Sequence, residues 1–563
     1  MGGETDREDI NQMLSEAQHS EDVSSDGGSN KASTHRIRQW VKQHKRLAVF
    51  GVCFLLVLLA VIPFTRYSIG GLFVTRDATI TVIDDQTNQP VSNATVVIRG
   101  NTLQTSAEGT VELKHTKPGN PEAEVSKQYY ESATSRIKID LLNRTYTQTV
   151  RLKPTGRAMS LKVTNRFTGS GLANVTIDAG GVQATTDQTG SASLVLSPSI
   201  NTIEAQLTVD GYNTARTTLS VPGDLTTNTI PLTPSGKVYV VSKHSGRLDV
   251  VKLNLDGTDR EVVVKATGSE EVSNTQVWAS ADWRFVVLRA RREGPKAGLY
   301  MLDTSSDTLT DLDTAPVDFQ IVGWRDDQFI YTTYDSSKSE WQPKQQELKV
   351  FNADDGKLST VESTQASGTG YGDYMTQAFT NIVATDNALI YGTQWSGANP
   401  DIHKRAAVLR EVSLPGLAKR DLRSDTNASI SLSKQEPDKV NVQIVAAQTK
   451  FYQYTNKALS SVELTAEEMF KSRPEYFASS GSEYAWDEAV DGKRRVFVAN
   501  ASLQGKSTAL SSTDLRVNGW FGSDYLLLSK SSSELYIMPA HTDGEVQPQK
   551  ITDYHRPPSG AIY

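Results

Sequence analysis

The chain has 563 residues, 22% of them charged, and a formal net charge of −7 at pH 7. This charge is modest for the length, and the length predicts three or four domains. The single cysteine, Cys53, excludes an intramolecular disulfide, so each domain must be held together by its own hydrophobic core. Secreted animal domains of this size usually carry bridges, and we therefore favour a bacterial envelope.

The N-terminal part is predicted to lie in the cytoplasm and to consist of two segments. Residues 1–34 carry eight acidic and two basic side chains and almost no large apolar ones, which predicts a disordered tail. Residues 35–46 are basic and predict a juxtamembrane segment that continues the next helix inward, with its cations at anionic headgroups.

An uncharged apolar run from Leu47 to Phe64 predicts a single transmembrane helix over residues 47–66, with the lipid bilayer as its partner. Eighteen helical residues span about 27 Å, close to the thickness of a bilayer core. A cleaved signal peptide is disfavoured because 46 residues precede the run, and a buried core helix because the run has no polar face. The basic residues before the run outnumber those after it, which places the N-terminus in the cytoplasm of a bacterial plasma membrane.

The sequence after the membrane segment repeats itself once, at an offset of 81 residues. Val82–Val96 aligns with Val163–Ile177, and Leu152–Gly156 aligns with Leu232–Gly236. Short runs of alternating apolar and polar residues lie between Gly, Asn and Pro turns. This pattern predicts two small β-sandwich domains, over residues 75–155 and 156–235.

Both repeats resemble the carboxypeptidase regulatory-like family, which is also described as transthyretin-like or PEGA-like. The resemblance is carried by Pro90–Ala94 in the first copy and by Gly171–Val175 with Asp210-Gly211-Tyr212 in the second. In the first copy Gln128-Tyr129-Tyr130 replaces the Gly-Tyr step. The resemblance implies modules without catalytic residues, and the short joints between them indicate a semi-rigid stalk.

A looser repeat occupies residues 237–553 and predicts a β-propeller, followed by a C-terminal tail over residues 554–563. Its units are strand-rich, recur every 35 to 55 residues or so, and contain recurrent Trp and Asp-Gly turns. Seven units are found, which predicts about seven blades. An incomplete first unit closed by the C-terminal strand leaves six or eight as alternatives.

The propeller units resemble the TolB-like and dipeptidyl-peptidase-like propellers. Leu299-Tyr300-Met301-Leu302-Asp303 fits their blade pattern, whereas Trp278 and Asp282 stand one residue further apart than in that pattern. The resemblance implies a fold that serves scaffolds, binding proteins and the regulatory halves of peptidases.

No linear motif predicts catalysis, a metal or a cofactor. The sequence has no Gly-x-Ser-x-Gly elbow, and its eight histidines stand singly, without a zinc-binding pair. We therefore predict neither catalytic residues nor metal ligands.

The predicted loops between the second and third strands of the blades hold cations and aromatic side chains. We predict that they form a cationic rim that binds an anionic polymer, a glycan or a protein, without specific recognition of nucleic acid. The predicted ligand-binding residues are Arg289, Arg291, Arg292, Lys338, Trp341, Trp395, His403, Lys404, Arg405, Arg494 and Arg495. A solvated rim without a ligand is the alternative interpretation.

These features favour a membrane-anchored binding or scaffolding protein of the cell envelope. Two alternatives remain at this point. One is a hydrolase or lyase with an active site in the central funnel of the propeller, built from scattered residues. The other is a transmembrane signalling subunit whose cytoplasmic tail recruits a partner.

The predicted topology can be tested on intact cells. Externally added protease should remove the residues beyond about position 70 and leave the N-terminal tail intact, because the positive-inside bias places the tail in the cytoplasm. Immunoblotting with antibodies against each end would measure this. Protection of the propeller would contradict the predicted orientation.

Overall fold

A computed structural model of the chain describes residues 75–139, 145–221, 227–436, 438–469, 476–477, 482–500, 504–531, 533–542, 544 and 546–556. The predicted tail (1–34), basic segment (35–46) and membrane helix (47–66) lie outside these residues. Within the described ranges, no helix has the length and apolar character needed to cross a membrane. The described residues are almost entirely β, which confirms the predicted mainly β fold class.

The first repeat forms two sheets that pack across one core. Its strands are β1 (Arg76–Asp84), β2 (Thr95–Ile98), β3 (Asn101–Gln104), β4 (Thr110–Thr116), β5 (Glu122–Ser126), β6 (Ala133–Arg136) and β7 (Thr145–Leu152). One sheet has the order β4-β1-β7 and the other the order β3-β2-β5-β6. Ile80 and Val82 on β1 are fully buried against Val96 of the second sheet, as the alternation of apolar residues predicts.

The second repeat has the same topology strand for strand. Its strands are β8 (Arg157–Asn165), β9 (Thr176–Ala179), β10 (Val182–Thr185), β11 (Ser191–Leu196), β12 (Thr202–Thr208), β13 (Ala215–Ser220) and β14 (Thr227–Leu232). The sheets have the orders β11-β8-β14 and β10-β9-β12-β13, and in both repeats the first and last strands pair in parallel.

A polar contact inside each repeat is also conserved between the two copies. The Tyr130 hydroxyl donates to Asp84 at 2.9 Å, and Asn165 donates to the Tyr212 hydroxyl at 2.9 Å. Burial and the nearby Asp84 carboxylate raise the pKa of Tyr130. The offset of these pairs matches the offset of the sequence repeat, so the repeat reflects one module used twice.

The two repeats touch directly. The side chain of Val195 from the second repeat lies in the core of the first. Asn93 donates to the Thr185 hydroxyl at 3.2 Å, and the Thr185 amide donates to the Ser92 hydroxyl at 2.9 Å. These contacts hold the repeats together as a stalk without a flexible linker between them.

The described residues from Lys237 onward form seven consecutive antiparallel sheets, as in a β-propeller. Sheet 1 contains β15 (Lys237–Ser242), β16 (Asp249–Asn254) and β17 (Glu261–Val264); sheet 2 contains β18 (Gln276–Ala279), β19 (Phe285–Ala290), β20 (Gly298–Asp303) and β21 (Thr308–Asp313); sheet 3 contains β22 (Asp318–Arg325), β23 (Gln328–Tyr334), β24 (Gln346–Asn352) and β25 (Lys357–Ser363). Sheet 4 contains β26 (Ala366–Ser367), β27 (Met375–Phe379), β28 (Val383–Ala384), β29 (Ala388–Gly397), β30 (Ala406–Ser413) and β31 (Lys419–Thr426).

The remaining sheets each have four strands. Sheet 5 contains β32 (Ser429–Glu436), β33 (Lys439–Val445), β34 (Thr449–Thr455) and β35 (Ala458–Val462); sheet 6 contains β36 (Tyr476–Phe477), β37 (Glu483–Val490), β38 (Lys493–Asn500) and β39 (Ser507–Thr513); sheet 7 contains β40 (Arg516–Phe521), β41 (Tyr525–Lys530), β42 (Glu534–Pro539) and β43 (Gln549–Asp553). Two short helices interrupt the described strands, the 3₁₀ helix η1 (Pro400–Lys404) and the α-helix α1 (Ala466–Met469).

The last sheet is joined to the first by the residues that follow β43. The Tyr554 amide donates to the Ser533 carbonyl in sheet 7 at 2.8 Å, and the next amide, of His555, donates to the Val241 carbonyl in sheet 1 at 2.7 Å. Sheet 1 is the sheet with three strands, so the C-terminal segment attaches at its incomplete side. One apolar cluster spans both sheets and includes Val240 and Leu527.

Neighbouring sheets are also joined by tyrosine, carboxylate and cation groups. Between sheets 2 and 3, Asp313 accepts from the Tyr331 hydroxyl at 2.8 Å and pairs with Lys349 at 2.9 Å. Between sheets 3 and 4, Glu362 accepts from the Tyr391 hydroxyl and pairs with Arg410. Burial and the adjacent carboxylates raise the pKa values of both tyrosines.

The stalk is joined to the propeller by the buried side chain of Phe167, which we call the plug, and by polar contacts around it. Phe167 is 2% exposed and packs among residues of sheets 1 and 7, with its ring centroid 5.4 Å from that of Tyr525. Around it, Arg166 pairs with Asp256 at 3.4 Å, and Gln549 donates to the Arg166 carbonyl at 2.9 Å. The equivalent residue of the first repeat is the polar Gln86, so the plug is specific to the repeat that meets the propeller.

Lys127 should make the stalk more stable in mildly alkaline solution. Its ammonium donates to the Ser92 carbonyl at 2.6 Å, and burial lowers its pKa to about 8. Between pH 8 and 9.5 the unfolded stalk retains a proton that the folded stalk has released, so stability rises with pH. For residues 75–235, we expect the free energy of unfolding to rise by about 1 to 2 kcal/mol over this window, measured by urea denaturation.

The matched variants are Lys127→Met, which should flatten the pH dependence, and Lys114→Met at an exposed position, which should retain it. An equal slope in the wild type and in Lys127→Met would contradict the assignment. A fragment that does not unfold cooperatively would contradict the independence of the stalk.

The Phe167 plug should couple unfolding of the second repeat to that of the propeller. Phe167→Gln, which copies the residue of the first repeat, should cost about 3 to 5 kcal/mol at the joint and split the thermal unfolding of the full chain into separate transitions. Phe167→Leu keeps an apolar side chain and should retain most of the coupling. Scanning calorimetry measures both variants, and an unchanged profile for Phe167→Gln would show that the plug does not couple the two parts.

Candidate ligand-binding face

The two ends of the propeller strands differ in what they contact. The stalk touches turns at one end of the strands, among them Asp256 between β16 and β17, Tyr525 at the start of β41 and Gln549 at the start of β43. In an antiparallel sheet of four strands, the loops after the second and fourth strands lie at the opposite end, and in the three-stranded sheet 1 the loops after β15 and β17 lie there. We call this opposite end the distal face, formed by segments that include 291–297, 335–345, 364–374 and 398–405.

All of the predicted binding residues lie at or near the distal face, but four of them lie in strands and not in loops. Arg289 belongs to β19, Trp395 to β29, and Arg494 and Arg495 to β38. The expectation that loops carry these four residues was wrong. The reason is that β19 and β29 extend further than the apolar pattern indicates, and that a two-residue turn at Asp491-Gly492 starts β38 early.

Most cations of the predicted rim are paired with carboxylates. The ion pairs are Arg291–Glu271 at 2.6 Å, Arg292–Glu270 at 3.3 Å, Lys338–Asp335 at 3.6 Å, Lys404–Asp401 at 2.8 Å, Arg494–Asp487, and Arg495–Asp491 at 3.6 Å. Ion pairing therefore neutralises most of the positive charge that the predicted loops carry. Glu270 and Glu271 lie in the connection between sheets 1 and 2, which the sequence analysis did not include in the rim.

Arg289 is the exception among the predicted arginines of sheet 2. It is half-buried, its Nε atom is buried without a hydrogen-bond partner, and no carboxylate pairs with it among the described residues. Burial lowers the pKa of its guanidinium, although Asp318 raises it. The guanidinium remains a cation and lacks the compensating contact that a half-buried charge usually has.

Two further donors without partners lie beside Arg289. Gln276 on β18 is directly opposite Arg289 in the sheet register, so both side chains lie on one face of sheet 2. Gln276 is 6% exposed, and its Nε2 atom is buried without a partner. The buried indole Nε1 of Trp278, two residues further along β18, also lacks a partner. Three buried N–H donors on this side of sheet 2 therefore have no acceptor among the described residues, and we call them the donor group.

Aromatic side chains lie on the distal face of sheets 3 and 4. The rings of Trp341 and Tyr371 meet edge to face with centroids 5.2 Å apart, and Tyr371 is 78% exposed. The Arg405 guanidinium lies over the Trp395 ring, 4.9 Å from its centroid. His403 is held with its Nδ1 2.7 Å from the Pro400 carbonyl in η1. The face therefore combines exposed ring surface with a cation that has no ion pair among the described residues.

Contacts connect these groups into one surface. Lys296 bonds Asp318 and the Ser336 hydroxyl, each at 2.8 Å, which ties the loops of sheets 2 and 3. The Ala398 amide donates to the Tyr374 carbonyl at 3.0 Å, which ties the loop after β29 to the segment that carries Tyr371. By contrast, Arg494 and Arg495 bond carboxylates of their own sheet, and the contacts of the described residues do not bring them to the groups of sheets 2 to 4.

Sequence reasoning missed Gln276 and Tyr371. A polar residue at an inward position of a short innermost strand is the signal for Gln276, and an aromatic residue in the glycine-rich segment from Gly368 to Gly372 is the signal for Tyr371. No group of three His, Cys, Asp or Glu side chains that could hold a metal occurs within the described residues.

No protein-family model matches the chain, and no curated protein is similar to it in sequence. Solved structures of β-propeller proteins are similar to parts of it. They include a prolyl endopeptidase (10% identity, TM-score 0.32, 62% of this chain), TolB from Acinetobacter baumannii (10%, 0.25, 50%) and oligogalacturonate lyase from Vibrio parahaemolyticus (11%, 0.29, 52%). The aligned parts cover 49%, 66% and 83% of those proteins. At these identities and scores, the description of the fold rests on the sheets themselves.

Proposed function

We propose that this chain is a membrane-anchored binding protein of the cell envelope, which presents its propeller on the two-repeat stalk and binds an acidic glycan at the distal face. The donor group on sheet 2 is the observation that carries this proposal. Three buried N–H donors have no acceptor among the described residues, and one of them belongs to a charged guanidinium. A ligand whose oxygen atoms reach them would supply both acceptors and negative charge.

The aromatic side chains indicate what accompanies the negative charge. Trp341, Tyr371 and Trp395 offer ring faces and edges on which the apolar face of a sugar ring packs. A polyphosphate has no such surface. Aromatic rings together with the Arg289 guanidinium favour an acidic glycan over a polyanion that is bound by charge alone.

The position of the stalk supports a particular orientation of the distal face relative to the membrane. Because its contacts lie at the opposite end of the strands, the distal face is left uncovered by the stalk. An anchor at residues 47–66 would then direct this face away from the membrane. The binding role is preferred to the funnel enzyme and to the signalling subunit because the donor group lies beside the distal end of sheet 2, where β19 ends and β18 begins.

We expect the loss of Arg289 to weaken binding more than the loss of an equal charge elsewhere on the face. In full-length protein purified in detergent, Arg289→Gln should weaken binding to an acidic glycan by at least about tenfold, the usual effect of losing one charge-assisted contact. Arg291→Gln makes the same change in charge at an arginine that already pairs with Glu271, and it should have a small effect. Isothermal titration calorimetry measures both variants.

Two comparisons distinguish specific binding of the glycan from nonspecific attraction between charges. Trp341→Ala should reduce affinity for the glycan more than for a simple polyphosphate, and nucleic acid should bind only as a salt-sensitive polyanion. Equal losses of affinity for Arg289→Gln and Arg291→Gln would mean that the glycan is attracted by the overall charge of the face and not by a specific contact with Arg289. Affinity indifferent to both salt and these variants would contradict the proposal.

A further inference from the structure

A cavity of about 350 Å³ lies where the last sheet of the propeller meets the first, away from the donor group. Its walls come from four parts of the chain: the end of β15 with the loop after it, Arg260 just before β17, the turn between β41 and β42, and the end of β43 with the segment that follows it. Its lining residues are Ser242, Lys243, His244, Arg260, Ser531, Ser533, Thr552, Asp553, Tyr554, His555 and Arg556. A volume of this size is within the usual range for small-molecule sites.

The charged groups of this cavity are unbalanced. Lys243 and Arg260 are cations, whereas the one carboxylate among the lining residues, Asp553, pairs with Lys550 at 2.9 Å. Among the described residues, neither Lys243 nor Arg260 has a carboxylate within ion-pairing distance. On the rest of the distal face most cations are paired, so this cavity retains a positive charge that its own protein does not neutralise.

Arg260 is fixed in position by hydroxyl groups. Its guanidinium donates to the Ser242 hydroxyl in sheet 1 and to the Thr552 hydroxyl in sheet 7, the latter at 3.0 Å. These neutral acceptors hold the side chain without cancelling its charge. A cation that is oriented before a ligand arrives loses less conformational freedom on binding.

We propose that this cavity binds a small anionic polyol, that is, a phosphate or carboxylate group carried on a hydroxylated body. The cations supply the contacts for the anion. The Ser533 hydroxyl, which also lines the cavity, can both donate and accept a hydrogen bond, which suits the hydroxyl groups of the body. The inference does not depend on the glycan site on sheets 2 to 4.

The position of the cavity gives the ligand a structural effect. Lys243 lies in the loop after β15 of sheet 1, and Ser533 lies in the turn between β41 and β42 of sheet 7, so one bound ligand that contacts both residues joins the two ends of the propeller. A ligand that binds only the closed ring stabilises it by mass action. Ligand occupancy should therefore raise the temperature at which the ring opens.

The test uses the full chain in detergent, with thermal unfolding and titration calorimetry as readouts. The probes are glucose 6-phosphate, glucuronate, inorganic phosphate and neutral glucose, at constant ionic strength. We expect glucose 6-phosphate or glucuronate to raise the unfolding temperature by several degrees, and glucose to have no effect. Preference for the first identifies a phosphate ligand and preference for the second a carboxylate ligand.

Lys243→Gln should weaken binding of the preferred probe by about tenfold, since it removes one charge-assisted contact. Lys493→Gln makes the same change in charge on β38 and should bind as the wild type does. Arg260→Lys, which keeps the charge but loses the two-sided hydrogen bonding, should weaken binding without abolishing it. A chain that ends at Arg556 retains every lining residue and should also bind as the wild type does.

Three outcomes would overturn the inference. The first is that none of the probes binds to or stabilises the wild-type chain. The second is equal weakening by Lys243→Gln and Lys493→Gln, which would mean general charge attraction. The third is binding that appears only in the chain ending at Arg556, which would mean that residues 557–563 and not a ligand occupy the cavity.

Discussion

The burial of Phe167 is the contact on which the arrangement of the molecule depends. Its ring is inserted between the first and last sheets of the propeller, among Val238, Leu253 and Ile537. The same side chain therefore attaches the stalk and fills the seam at which the ring closes. Because the seam is filled from the stalk end, the stalk leaves the opposite end of the strands uncovered. A polar side chain such as Gln86 of the first repeat could not serve in this position without leaving its amide unsatisfied.

The seams between other sheets are joined differently, by buried polar groups. Asp313 has a side chain only 6% exposed and receives contacts from Tyr331 and Lys349 at once. Such a group destabilises strongly when one partner is removed, because a buried charge is left behind, although its net contribution relative to an apolar seam is small. We infer that these groups fix the register between sheets more than they add stability.

The amino-acid sequence predicts the local features of this molecule well. The alternation along β1 and β8, the Asp-Gly turn at Gly257 and the offset between Tyr130 and Tyr212 all arise from short-range patterns, and each is found in the structure. Ion pairing is different, since it depends on residues that are distant along the chain or come from other segments. Arg291 looks like a free rim cation until Glu271, twenty residues earlier, is brought to 2.6 Å from it. Composition alone cannot show which cations are neutralised by ion pairs of this kind.

Arg289 differs from the neighbouring arginines in having no ion pair among the described residues. Arg291 and Arg292 lie in the same segment, and both are paired with carboxylates of the adjoining connection. Arg289 lies on the strand, opposite Gln276, where the connection does not supply a carboxylate. A buried N–H without an acceptor is a cost to the fold, which the charge of Asp318 offsets only in part. The anion binding that we propose would give a reason for an arginine at this position, because a ligand would supply the acceptor that Nε lacks among the described residues.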